Sequence, residues 1–165
     1  MTERFEKAYN ALLKAYFKGT LAKGICTACA VGNIVCDAMD GEIIYQPMYN
    51  TFERNVDNSF WWRLFYTPIG STKQINTIKD KPGLAEHIKK LTNYSAEELA
   101  KVEYAFETNT KITHKNYCQW SEQEVLEDQF NGLSAVVDVL IKLDNLENAD
   151  KKYNKAFRQH PKLLC

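Results

Sequence analysis

The chain has 165 residues, enough for one domain with a buried core. Its 21 basic and 21 acidic residues cancel, so no overall field draws it to an anionic membrane, and nucleic-acid binding would have to rest on a local patch. No run approaches the roughly 18 apolar residues of a membrane span, the charged amphipathic start lacks a secretory h-region, and five irregularly spaced cysteines form no disulfide framework; a soluble, cytoplasmic protein with reduced thiols is expected.

The first segment, Thr2 to Lys18, carries Phe5, Tyr9, Leu12 and Tyr16 at intervals of four, three and four, with Leu13 and Phe17 beside them. That spacing predicts an amphipathic helix ended by Gly19, its aromatic stripe facing the core. A second helix is expected to open near Thr27 as N-cap, to carry Val31, Ile34, Val35 and Ala38 inward, and to stop where Gly41 supplies a left-handed turn. From Gly41 to Ser71 the pattern is irregular and rich in aromatics. "EIIYQPMYN" suits a short strand, Pro47 and Pro68 interrupt the run, and "SFWWRLFY" suits a short buried helix from Ser59.

Pro82 and Gly83 are placed to open a helix over "PGLAEHIKKL", with Asn93 and Tyr94 breaking it. Ser95 with Glu98, and Ser121 with Glu124, have the spacing of capping boxes. The helix after Ser95 turns Leu99, Val102 and Phe106 inward; the one after Ser121, the longest, turns Leu126, Phe130, Leu133, Val137 and Leu140 inward and runs to about Asp144. A short helix from about Ala149 holds Tyr153 and Phe157, and "RQHPKLLC" reads as a frayed tail. The expected fold is mainly α: residues 1–165 as one compact helical bundle with an irregular aromatic-rich middle.

Cys26, Cys29 and Cys36 give C-x2-C-x6-C. On a helix from Thr27, Cys29 and Cys36 share one face about 10 Å apart, too far for one ion. Only Cys26 and Cys29 could act together, and a zinc or iron–sulfur site would need further ligands, with Cys118 the first choice and His114, His160 and Cys165 behind it. The same pair has the spacing of a dithiol redox site, although no βαβ context surrounds it. Against both stands the simplest use of these thiols, small apolar packing, with no cofactor at all.

Gly32-Asn33 and Asn131-Gly132 place a glycine and an amide inside helices, where glycine costs about 1 kcal/mol against alanine. A close crossing of the two helices would offset that cost; a small polar site lined by Asn33 and Asn131 is the functional alternative. No P-loop, dinucleotide fingerprint, nucleophile elbow or paired-histidine motif occurs. The basic C-terminal end, Lys151 to Lys162, suits a helix terminus.

Three stretches, "CTACAVGN" (Cys26 to Asn33), "NYSAEELAKVEYAF" (Asn93 to Phe106) and "FNGLSAVVDVLIKLDNLENADKKYNKAF" (Phe130 to Phe157), resemble a set of small cytosolic proteins of bacteria and their phages. That set is marked by C-x2-C-A-V-G-N after an N-terminal helix and by F-N-G-L in a late one. It has no established activity, so the resemblance implies motif positions rather than a mechanism. Such proteins are sometimes labelled a subunit of a sodium-translocating NADH:quinone reductase. An electron-input subunit of that kind carries ferredoxin-type cysteine spacing and a flavin domain, and this chain shows neither. The resemblance also places a cysteine near the end of the helix finishing "FETNT", where Thr108, Asn109 and Thr110 stand here.

With no catalytic set, the sequence favours a non-enzymatic interaction or regulatory protein with a protein partner. The alternative is a metal-binding or thiol-redox protein using Cys26 and Cys29.

Overall fold

A computed structural model describes residues 2–25, 28–46, 51–55 and 82–146. The proposed helices from Ser59 and Ala149, the tail, Cys26 and Thr27 lie outside these. Among the described residues the order is α1 (Glu3–Phe17), α2 (Ala30–Ala38), β1 (Glu42–Gln46), β2 (Thr51–Asn55), α3 (Pro82–Thr92), α4 (Ala96–Asn109), a 3-10 turn (His114–Gln119) and α5 (Glu122–Leu143). The architecture is mainly α, as expected.

Local chemistry explains most of the boundaries. Thr2 caps α1 by accepting the Phe5 N–H, and acidic Glu3 and Glu6 favour the positive end of its dipole. Gly19, at φ 65°, ends the helix. Both capping boxes form: Ser95 and Ser121 each accept the N–H three residues on, while Glu98 and Glu124 reach back to the serine N–H at 2.7 and 2.8 Å. α3 opens at Pro82 and is broken by Asn93 at φ 59°.

α2 departs from the expectation at both ends. Its N-cap is Cys29 rather than Thr27, with the sulfur accepting the Gly32 N–H. Its left-handed residue is Asp40, at φ 53°, rather than Gly41. Aspartate tolerates that conformation, and it lets the Gly41 N–H close back on the Cys36 carbonyl at 2.9 Å before β1 begins. β1 is the short strand expected from "EIIYQ"; it pairs antiparallel with β2, Tyr45 opposite Phe52, turning Ile43 inward and Ile44 outward.

α1 and α5 lie antiparallel. The Arg4 guanidinium bonds the Leu143 carbonyl at one end, and the Tyr16 hydroxyl approaches the Leu126 carbonyl at the other. Phe5, Leu12, Leu99, Val102, Phe106, Leu133, Val137 and Leu140 meet in the core with no exposed surface. Leu126 and Phe130 are only partly buried and pack against the edge of the core. α2 packs on α1, α3 and α4. The expected crossing of α2 with α5 through Gly32 and Gly132 is replaced by another: Gly132 faces Phe106 and Thr110 of α4. α4 and α5 are consecutive antiparallel helices, and a glycine at their contact lets them approach more closely than any larger residue would.

Candidate functional site

Between α1 and α2 the chain crosses the C-terminal half of α4, and this crossing gathers the buried polar residues Thr20, Asn33, Glu103 and Thr110. The segment turns at Gly19 and at Gly24 (φ 82°) and is laced by its own backbone: Ala22 N–H to the Ala28 carbonyl at 2.7 Å, and Cys29 N–H to Ile25 at 2.8 Å. Asn33 pins it from α2. Its amide donates to the carbonyls of Thr20, Ala28 and Cys29 at 3.1, 2.9 and 3.0 Å, so three acceptors share two hydrogens.

α4 holds the same segment from beneath. The Glu103 carboxylate accepts the Val31 N–H, in the first turn of α2, at 3.1 Å. One helical turn on, Glu107 accepts the Gly24 N–H at 3.2 Å. The Cys29 thiol favours the ionised Glu103 carboxylate, whereas the Glu107 carboxyl disfavours it. The Lys23 ammonium sits at the end of α4, donating to the carbonyls of Glu107 and Thr110, each at 2.5 Å, and the Lys23 carbonyl accepts from His114.

Burial dominates the electrostatics of Glu103. Only 5 % of the residue is exposed, and desolvation pushes its carboxyl up to about 7, against the bonds from Val31 and Cys29 and together with the neighbouring Glu107. A carboxyl that titrates near neutrality beside a thiol can take or give a proton where an ordinary glutamate would stay ionised.

The residues singled out from sequence fall as follows. Cys29 is buried at the head of α2 with its sulfur engaged by Gly32 and Glu103, so it acts as a capping thiol; Cys36 is buried in the core; Cys118 is exposed on the 3-10 turn. Cys26 lies outside the described residues, so the set Cys26, Cys29 and Cys118 cannot be assembled from them. Among the described residues no three His, Cys, Asp or Glu side chains are placed to hold a metal ion. Gly32 and Asn33 are buried on α2, whereas Asn131 is exposed on α5 beside the buried Gly132. The two asparagines therefore line no common polar site.

Sequence reasoning missed Glu103, Glu107 and Lys23. The signal for Glu103 was present: it falls four residues after Leu99 and three before Phe106, in the stripe that faces the core. A glutamate in that stripe needs donors brought to it from elsewhere in the chain. Comparison with family models, with curated proteins and with solved structures found no match to this chain.

Proposed function

We propose that the chain is a non-enzymatic interaction or regulatory protein that acts through a protein partner. The observation that carries this reading is the exposure of two large apolar side chains, one on β1 and one at the end of the 3-10 turn. Ile44, on the outer face of β1, and Trp120, which ends the 3-10 turn, are each 44 % exposed. β2, which pairs with β1, meets the 3-10 turn where Phe52 packs edge-on against the His114 ring at 5.3 Å, on the face of the hairpin opposite Ile44. Half-exposed tryptophan and isoleucine gain most from a partner that covers them, since aromatic anchors carry a large share of interface energy. The buried polar groups meanwhile bind backbone: Asn33 and Glu103 hold the α1–α2 connection, and Asp128 accepts the Lys111 and Ile112 N–H groups at 2.8 to 2.9 Å.

The test is reciprocal affinity purification at native expression, comparing the wild type with an Ile44→Ser, Trp120→Ala double variant whose melting curve is first shown to be unchanged. A stoichiometric protein retained by the wild type and lost by the variant is expected. Retention of the same protein by both, or a wild type that elutes alone, would refute the reading.

A further inference from the structure

We infer that the Tyr94 hydroxyl and the Asp144 carboxylate hold one buried water molecule between them, at the junction where the first turn of α1 meets the start of α4 and the end of α5. Arg4 organises this junction. Its guanidinium lies over the Tyr94 ring, 4.4 Å from the centroid, and donates to the Asn93 carbonyl at 2.9 Å and to the Leu143 carbonyl at 3.1 Å. It also pairs with Glu98 at 3.2 Å and with Asp144 at 2.6 Å, while the Thr2 hydroxyl donates to Asp144 Oδ2. Neither Tyr94 nor the Asp144 side chain has exposed surface, so bulk solvent does not reach them.

Two polar atoms here are buried with no hydrogen-bond partner among the described residues: the Tyr94 hydroxyl oxygen and Asp144 Oδ1. The Arg4 nitrogen meets Oδ1 as a contact of opposite charges, with no N–H aligned on it. The two deficits are complementary. Burial first, and the charge of Asp144 next, push the Tyr94 hydroxyl well above the ordinary tyrosine range, so it keeps its hydrogen and is a donor without an acceptor. The carboxylate oxygen is an acceptor without an aligned donor. No direct bond joins them, yet the Asp144 charge acts on the hydroxyl. One water that accepts from Tyr94 and donates to Oδ1 satisfies both atoms, and immobilising it costs less than leaving two buried polar atoms unpaired. Phenylalanine would offer Arg4 the same ring face; the bound water accounts for the hydroxyl.

Tyr94→Phe separates the two states of affairs, because it deletes the hydroxyl and keeps the ring under Arg4. If the hydroxyl is bonded to a held water, the variant loses that bond, and its melting temperature should fall by about 2–4 °C, the shift that one hydrogen bond produces in a chain of this length. If the hydroxyl is truly unpaired, its removal relieves a buried polar group, and the melting temperature should stay level or rise. The second measurement is made on the wild type and does not depend on the variant folding: a crystal structure of the full chain is expected to show an ordered water within about 3 Å of both the Tyr94 hydroxyl oxygen and Asp144 Oδ1. A level or raised melting temperature in Tyr94→Phe, or a wild-type crystal structure with no water bridging the two atoms, would each overturn the inference.

Discussion

Gly132→Ala adds one methyl group at the contact of α4 with α5. An ideal Cβ there would lie 2.4 Å from Thr110 Cγ2 and 2.8 and 2.9 Å from Phe106 Cδ2 and Cε2. Neither neighbour yields easily. The Phe106 ring has no exposed surface, and the Thr110 hydroxyl is bonded to the Phe106 carbonyl at 2.8 Å, so rotating the methyl away breaks that bond. Overpacking of this kind costs about 1–3 kcal/mol, and the three close approaches argue for the upper part of that range. Alanine recovers about 1 kcal/mol of helix propensity, which leaves a net loss of about 1–2 kcal/mol. Gly83→Ala is the matched control: its Cβ would meet nothing within 4 Å, so it should be neutral or slightly stabilising. Urea denaturation at constant slope separates the two through their midpoints. A Gly132→Ala midpoint equal to or above the wild type would refute the close approach of α4 and α5, whatever Gly83→Ala does.

Ser95→Ala and Ser121→Ala should each cost about 0.5–2 kcal/mol by thermal melting, with the exposed box at Ser121 nearer the lower end; no loss at Ser95 would contradict the observed box. Asn33→Asp removes all three amide bonds and turns a carboxylate toward carbonyls, so it should cost more than Asn33→Ala, about 3 kcal/mol or more against about 1–3, and a reversed order in urea midpoints would show the amide to be oriented otherwise. Glu103 makes stability depend on pH in a defined direction. Its carboxyl titrates higher in the folded chain than its ordinary 4.5, so the stability it contributes is complete below about 4.5 and is lost as pH rises through about 7, a span of about 3 kcal/mol. The wild type should therefore lose urea stability over that interval relative to Glu103→Gln, and parallel profiles for the two proteins would show that Glu103 does not titrate there.

The helices were legible where one short-range signal settles them. The period of Leu99, Val102 and Phe106 and the serine–glutamate boxes before α4 and α5 need only residues within a few turns of one another, and the structure repeats them. The start of α2 was not legible in the same way. Thr27 is the cap that residue type favours and Cys29 is not, and the start at Cys29 is accompanied by Glu103 accepting the Val31 N–H from 72 residues away. Gly132 was recognised as a close approach but assigned to α2, because a glycine shows that something comes near without saying what. Its partner is set by the antiparallel packing of consecutive helices, which brings Thr110 and Phe106 to it.

The same reasoning bears on what the cysteine motif means. In C-x2-C the spacing alone permits metal binding, dithiol chemistry or packing, and these differ in what surrounds the sulfur. For Cys29 the surroundings come from two sources: the Gly32 N–H, local and implied by any helix start, and the Glu103 carboxyl, supplied by α4. The first favours a thiolate and the second a thiol, since a carboxylate accepts the S–H hydrogen but repels a second negative charge. Beside the Glu103 carboxyl, Cys29 is a buried cap whose sulfur accepts the Gly32 N–H. Its chemistry therefore depends on Glu103, and any activity of that thiol should respond to Glu103→Gln on α4 before it responds to changes in the residues flanking the cysteine.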